Sequence, residues 1–264
     1  MTRVVWKSAL AAALISGATV VAAQQAVDLS RERVGRPPVA FEPIVGSWVV
    51  AQDGADKVIM VDGRPWVAAK DNPTRLLIES ARKLYGTSNE ELMDNAKQFA
   101  YYPVALLKGV ENFSSGTLRV QFKTISGSSD RASGIVFNVK PSGDWLAIRY
   151  NDTEHNVALW EFHNGIRRSV KRGEEGAWPL DQAAWHELAI AINGAELSAT
   201  IDGKPALDYT LGSQPTPTRR GPPHADLYPA NNPVLRPPVA GRVGLWSKTD
   251  STSYFKGFAI SREN

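Results

Sequence analysis

The residues with the clearest chemical potential lie in one alternating stretch of the chain, residues 145–162. If Asn151 and Asn156 flank its turn, antiparallel pairing places Arg149 opposite Ala158 and fixes the remaining pairs of a two-stranded hairpin. Alternation along each strand then separates two faces. One face carries Trp145, Ala147, Arg149, Asn151, Asn156, Ala158, Trp160 and Phe162. The opposite face is predicted to be core and carries Leu146, Ile148, Tyr150, Val157, Leu159 and Glu161.

The first of these faces suits a saccharide, because flat rings pack on the C–H faces of sugars and polar groups orient the hydroxyls. Trp246, which alternates with Val243 and Leu245, is a candidate for the same surface. The predicted ligand-binding residues are Trp145, Arg149, Asn151, Asn156, Trp160 and Trp246. In the alternative interpretation the tryptophans pack beneath other elements, and a register slip of one residue would exchange the two faces.

Carboxylates in the predicted turn provide a candidate for catalysis. Hydrolysis of a glycosidic bond usually requires two carboxyl groups at a suitable separation. Glu154 is the candidate acid/base, and it would need Glu161 or Asp144 as its partner if the fold brings them together. The alternative is that Asp152 and Glu154 are solvated turn residues.

The sequence predicts no cofactor. The four histidines (His155, His163, His186 and His224) show no paired spacing and the chain has no cysteine, so a zinc site is not predicted. A phosphate-binding glycine loop and a Gly-x-Ser-x-Gly nucleophile motif are both absent. Calcium bound by oxygens from separated loops stays open.

The elements that position these residues are predicted to be strands. Period-two apolar patterns recur from Gly116 onward and are separated by turns such as Asn193-Gly194 and Asp202-Gly203. This pattern is typical of an all-β, two-sheet antiparallel sandwich and excludes parallel α/β layers. A short helical insertion is predicted at about 72–98. A proline-rich loop at about 211–240 is interpreted as a lid or a surface appendage.

Three groups of motifs carry a family resemblance. They are Ser133–Phe137 with Gly143–Arg149, Trp185–Leu188 leading to Ile201–Lys204, and Gly241–Ser251 before Tyr254-Phe255. Together, over about residues 110–262, they resemble exported laminin-G-like proteins of the concanavalin A-like lectin/glucanase superfamily, which are grouped with the 3-keto-disaccharide hydrolase domain.

The resemblance implies a jelly roll with one concave sheet that holds glycan, and it transfers no catalytic residue. Glucanases of this superfamily carry a Glu-x-Asp signature on one strand, and no glutamate here has an aspartate two positions later. Three functions remain open. The chain is expected to bind saccharide, with a glycoside hydrolase of the 3-keto-disaccharide type or a non-catalytic envelope interaction protein as alternatives.

The first residues predict export. A basic start with Arg3 and Lys7 is followed by a short apolar run that ends in small residues at Ala23, which is the pattern of a signal peptide over 1–23. An uncleaved membrane anchor is the alternative. The mature protein is expected in the periplasm or medium, with a flexible arm over 24–40, a single domain over 41–264 and no membrane contact after cleavage.

Charge and cysteine content narrow the class of partner. The net charge of the chain is +3, and removing Arg3 and Lys7 takes away two of those positive charges. The nearly neutral mature chain gives no reason to expect a nucleic-acid partner. Without cysteines, the exported protein has no disulfides and depends on burial of its core for stability.

Overall fold

The computed structural model describes residues 24–65, 102–163, 166–213 and 233–262. The first eight strands are β1 (Gln24–Ala26), β2 (Phe41–Val45), β3 (Ser47–Asp53), β4 (Asp56–Asp62), β5 (Val104–Leu107), β6 (Gly116–Ser126), β7 (Ala132–Val139) and β8 (Trp145–Asn151). The remaining seven are β9 (Asn156–His163), β10 (Ile166–Arg172), β11 (His186–Asn193), β12 (Glu196–Ile201), β13 (Lys204–Thr210), β14 (Arg242–Ser247) and β15 (Thr252–Ser261).

The strands form two antiparallel sheets. One sheet has the order β13-β12-β11-β6-β15-β4-β3, and β1 is added to it as an eighth strand on β15. The other has seven strands in the order β10-β9-β8-β7-β14-β5-β2. The predicted all-β, two-sheet antiparallel sandwich is therefore confirmed.

The main hydrophobic core lies between the sheets and follows from strand alternation. On β6, Leu118, Val120 and Phe122 are buried in this core. The residues that alternate with them, Gln121 and Lys123, lie on the outer side. Because each buried leucine or phenylalanine contributes roughly 1.5–3 kcal/mol, repetition over many strands stabilises the sandwich without disulfides.

Short turns join the strands where the sequence predicted them. Asp202 and Gly203 connect β12 to β13 with φ values of 50° and 74°. Positive φ at both central residues is the geometry of a type I′ hairpin turn, which Asp-Gly favours. These tight turns account for the consecutive pairing of β11, β12 and β13 at one edge of the eight-stranded sheet.

The segment predicted to be a flexible arm, 24–40, is instead ordered against the sandwich. Gln24 pairs with Ser261 in a short strand, and Leu29 is buried in the main core. The Glu32 carboxylate accepts hydrogen bonds from the backbone N–H groups of Val39 at 2.9 Å and Ala40 at 3.2 Å. Composition does not reveal these contacts, because β1 is held by backbone hydrogen bonds to β15, which polar residues form as readily as apolar ones.

Several predicted segments lie outside the described residues. These are the signal peptide at 1–23, the helical insertion at 72–98 and the central part of the proline-rich loop, 214–232. Among the residues that the structure describes, no helix has the length and apolar character needed to cross a membrane.

Candidate functional site

The β8–β9 hairpin has the predicted register. Arg149 lies opposite Ala158, Trp145 lies opposite Phe162, and the turn is flanked by Asn151 and Asn156. Leu146, Ile148, Tyr150, Val157 and Leu159 all belong to the core between the sheets. The side chains predicted to bind a ligand therefore point to the outer face of the seven-stranded sheet.

One half of this outer face is closed by an aromatic cluster of Tyr102, Trp145, Phe162 and Trp246. Trp145 stacks on Phe162 with ring centroids 5.1 Å apart, and Tyr102 stacks on Trp246 at 6.1 Å. Trp145 and Trp246 both have 0% of their surface exposed. Trp246 joins the predicted aromatic surface, but neither tryptophan offers an open ring face. The expectation of an open floor across the whole hairpin is wrong here, because large rings gain most by packing on one another.

The space above the two small residues of the hairpin is also filled. Ala147 and Ala158, whose side chains are too short to fill this space themselves, are both fully buried. Ala147 belongs to the same outer hydrophobic cluster as Trp145. The open part of the face therefore lies towards Trp160, which is half-buried.

Arg149 is a buried cation at the centre of the site, with 2% of its surface exposed. Its Nη1 donates to the carbonyl oxygen of Asn156 at 3.1 Å and to the Oδ1 atom of the same residue. Its Nη2 donates to Glu154 Oε2 at 2.6 Å. The opposite residue on β7 is Gly134, where a Cβ would lie only 2.9 Å from the Arg149 Cβ. A larger residue there would displace the arginine.

Glu154 is clamped between two arginines. Arg172 Nη2 lies 2.7 Å from Glu154 Oε1, while Arg149 holds the second oxygen. Burial alone would raise the pKa of Glu154, but Arg149 and Arg172 outweigh it and hold that pKa below its ordinary value. The carboxylate is therefore ionised at neutral pH and does not donate a proton there.

A bulge in β10 brings Arg172 to this face. Ser169 pairs with Trp160, but the register then shifts, so that Arg172 rather than Lys171 lies opposite Ala158. The extra residue restores the outward direction of the arginine side chain. Simple alternation from Arg167 would have assigned Arg172 to the core side, which explains why Arg172 was not predicted as a site residue.

Arg167 covers the Trp160 ring. Its guanidinium carbon lies 4.0 Å from the ring centroid of Trp160 and 4.9 Å from that of Tyr102. The guanidinium of Arg149 lies 5.9 Å from the Trp160 centroid. Trp160 Nε1 is buried and has no hydrogen-bond partner among the described residues.

A lysine from the loop after β14 completes the positive charge. Lys248 Nζ lies 2.7 Å from Asp130 Oδ2. Burial, followed by repulsion from Arg167, lowers the pKa of Lys248. Burial likewise lowers the pKa of Arg149 to about 10, although Glu154 opposes this change. We call Arg149, Arg167, Arg172 and Lys248 the cationic cluster; only Arg149 of these four was predicted.

The two asparagines of the turn serve the protein itself. Asn151 Nδ2 donates to Asp130 Oδ1 at 3.0 Å, and Asn151 Oδ1 accepts from the Thr153 hydroxyl at 2.7 Å. Asn156 binds Arg149 through its side-chain oxygen. Both asparagines are fully buried. They position Arg149 and the turn, and their side chains are not open to solvent.

The carboxyl groups considered as partners for Glu154 are not brought to it. Asp144 precedes the far end of the seven-residue strand β8, which spans about 20 Å, and it pairs with His163 at 3.1 Å. Glu161 lies on the core side of the sheet and pairs with Arg168 at 3.2 Å. Glycosidase carboxyl pairs lie roughly 5–10 Å apart. Neither residue meets that separation.

Metal ligands do not converge in the described ranges. No group of three or more His, Asp or Glu side chains that would hold a metal ion occurs there.

A second tryptophan lies under cations on the outer face of the eight-stranded sheet. Lys256 Nζ lies 4.3 Å and Lys123 Nζ lies 5.3 Å from the centroid of Trp185. Trp185 Nε1 donates to Asp53 Oδ2 at 3.1 Å, and the same carboxylate pairs with Lys123. Lys256 pairs with Asp56 at 2.6 Å. We call these five residues the Trp185 cluster.

No protein-family model and no curated protein sequence matches this chain. Among solved structures, the carbohydrate-binding module CBM66 from Bacillus subtilis is similar with a TM-score of 0.51 and 13% identity, covering 84% of this chain and 96% of that one. A Bacillus subtilis protein of unknown function with a galectin-like fold gives 0.47 and 12%, covering 84% and 89%. A Bacillus licheniformis β-glucanase gives 0.39 and 13%, covering 61% and 71%. At this identity the likeness to the module concerns the fold alone, and the chain has a jelly-roll fold.

Proposed function

We propose that this chain is an exported saccharide-binding protein, periplasmic or secreted, whose ligand binds beside Trp160 on the outer face of the seven-stranded sheet. The observation that carries the proposal is the indole N–H of Trp160, which has no partner among the described residues and belongs to a ring that lies next to the guanidinium groups of Arg149 and Arg167. A buried donor without a partner costs about 1–3 kcal/mol, and a sugar hydroxyl would satisfy it.

The surroundings of Trp160 match what a saccharide requires. Guanidinium groups can donate hydrogen bonds to sugar oxygens in fixed directions, and ammonium groups can donate to them as well. The ionised Glu154 carboxylate can accept hydrogen bonds from sugar hydroxyls. The aromatic cluster behind them is fully packed, so the binding groups are supported by a rigid layer. The jelly-roll fold is one that a carbohydrate-binding module also has.

Glycoside hydrolysis of the 3-keto-disaccharide type is the second candidate function. It rests on the sequence resemblance to the laminin-G-like group and on Lys248. This lysine pairs with Asp130 and also helps to lower the pKa of Glu154, which makes Asp130 the candidate second carboxylate. Release of monosaccharide from ordinary or 3-keto disaccharides, with and without chelator, tests this candidate. Turnover that disappears in both Glu154→Gln and Asp130→Asn would support it, and absence of turnover removes it.

The binding proposal is tested by comparing tryptophans on the two outer faces. Affinity for a panel of soluble polysaccharides is measured by calorimetry for the wild type, Trp160→Ala and Trp185→Ala. Removing Trp160 should weaken binding by roughly 30-fold or more, which is about 2 kcal/mol. Removing Trp185 should change affinity less than twofold.

A further variant distinguishes the contribution of the indole N–H to affinity from that of the aromatic ring. Trp160→Phe keeps an aromatic surface beneath Arg167 but removes the donor, and it should weaken binding about 5- to 10-fold. Circular dichroism confirms that each variant is folded. Unchanged affinity in Trp160→Ala would remove this site. No retention of any polysaccharide by the wild type would leave the third alternative, an envelope interaction protein.

A further inference from the structure

The positive charges of the site outnumber the carboxylates that face them. Arg149 and Arg172 share Glu154, with Glu175 as a second and more exposed partner of Arg172. Lys248 is paired with Asp130. Arg167 forms no ion pair or hydrogen bond with any residue in the described ranges. Among the described residues, the cationic cluster therefore has one guanidinium group without a counter-charge.

The unpaired group is held in place. Arg167 lies on β10, an edge strand of the seven-stranded sheet, and pairs with Phe162 on β9. Its guanidinium rests on the rings of Trp160 and Tyr102, and these contacts restrict the orientation of its N–H donors. A planar guanidinium that is fixed in this way is pre-organised to bind a planar carboxylate through two parallel hydrogen bonds.

The neighbouring cations add to the case for an anionic ligand group. Arg167 disfavours the charged forms of Arg149 and Lys248, whose pKa values are lowered mainly by burial and further by this repulsion. An anion bound among these groups would offset the mutual repulsion of the buried Arg149 and its partly buried neighbours. A neutral sugar would leave that repulsion in place.

We propose that the saccharide bound at this site is acidic, and that Arg167 binds the carboxylate of a uronic acid residue while Trp160 Nε1 donates to an adjacent oxygen. This inference rests on the proposed function, since it names the ligand class of the same site. It places Arg167, which no sequence pattern singled out, as the residue that determines specificity.

The test uses pairs of polysaccharides that differ only in charge. Polygalacturonate, alginate and hyaluronan are compared with their methyl-esterified forms, and dextran sulfate is compared with dextran. At least one uronate polymer should bind, and esterification should weaken its binding about 30-fold or more. Arg167→Gln should produce a similar loss for the uronate polymer and little change for its ester. The matched control Lys256→Gln removes a cation that already pairs with Asp56 on the other face, and it should leave binding unchanged.

The other outcomes have different consequences for the acidic-ligand inference and for the saccharide site. If neutral or esterified polymers bind as well as the uronates, in a manner that depends on Trp160 but not on Arg167, the acidic-ligand inference is overturned and the saccharide site stands. Binding to dextran sulfate without binding to any uronate would overturn the assignment of a carboxylate. If no polysaccharide binds, both proposals fall.

Discussion

Trp160 and Trp185 lie on opposite outer faces of the sandwich, and each ring is covered by cationic side chains. In the Trp185 cluster every polar group is satisfied: the indole N–H has Asp53, and both lysines have aspartate partners. Around Trp160 the indole N–H and the Arg167 guanidinium lack partners among the described residues. The same combination of ring and cation thus has all its polar groups paired around Trp185, whereas around Trp160 some polar groups have no partner among the described residues.

The two clusters also differ in their most buried cation. The Arg149 side chain is 2% accessible, whereas those of Lys123 and Lys256 are 14% and 22% accessible and Asp56, the partner of Lys256, is 56% accessible. Exposed ion pairs contribute little to stability, while a buried cation depends on its counter-charge. A ring under a cation therefore does not by itself mark a binding site; Trp160 differs from Trp185 in the groups beside it that lack partners among the described residues.

The largest expected difference between the faces concerns stability. Glu154→Gln removes the negative charge opposite the buried Arg149 and should lower the free energy of unfolding by about 3 kcal/mol. The matched change Asp56→Asn breaks an exposed pair and should cost less than about 1 kcal/mol. Urea denaturation at neutral pH measures both. Equal losses would show that the two clusters do not differ in the proposed way.

A smaller effect is expected on the free energy of unfolding at acidic pH, and it depends on Asp250. Asp250 accepts hydrogen bonds from the Ser128 hydroxyl at 2.6 Å and from the backbone N–H groups of Ser128 and Ser129 at 2.7 and 3.1 Å. Burial would raise the pKa of Asp250, but these donors outweigh it and bring it from 3.8 to about 2. Asp250 thereby fixes the loop that carries Asp130, the partner of Lys248.

The sign of this pH dependence follows from the lowered pKa. The carboxylate form of Asp250 stabilises the fold above about pH 4, and that contribution is lost as the pH falls towards 2. Asp250→Asn should therefore cost about 2 kcal/mol at neutral pH and flatten stability between pH 4 and 2. The control Asp56→Asn breaks only the exposed pair with Lys256 and should change stability little across this pH range. Thermal melts across this pH range decide between these outcomes.

The alternation of side chains made much of the hairpin predictable. The register of β8 and β9 followed from the turn residues Asn151 and Asn156, and with it the outward direction of Arg149 and Trp160. Period-two patterning reports which face of a sheet a residue occupies. It does not report what packs over that face, which is why the burial of Trp145 and Trp246 could be stated only as an alternative interpretation.

The missed residues have particular physical reasons. Arg172 reaches the site through a bulge in β10, and an irregular register cannot be inferred from alternation. Lys248 and Asp130 come from loops that are distant in sequence and meet only in the folded protein. Of the missed residues, Arg167 was the easiest to predict from the sequence. It lies on β10, the strand directly after the predicted hairpin, at a position that faces outward.

The indole N–H groups allow the most direct measurement of the central claim that ligand binds at Trp160 and not at Trp185. The chain has eight tryptophans, and Trp160→Phe and Trp185→Phe assign the two resonances in a 1H–15N spectrum of labelled protein. The titrant is an oligosaccharide of whichever polysaccharide in the panel binds most tightly. The Trp160 resonance should shift strongly as its N–H gains a partner, while that of Trp185, already bonded to Asp53, stays in place. A shift confined to Trp185, or saturation of the protein with no change at Trp160, would contradict the account.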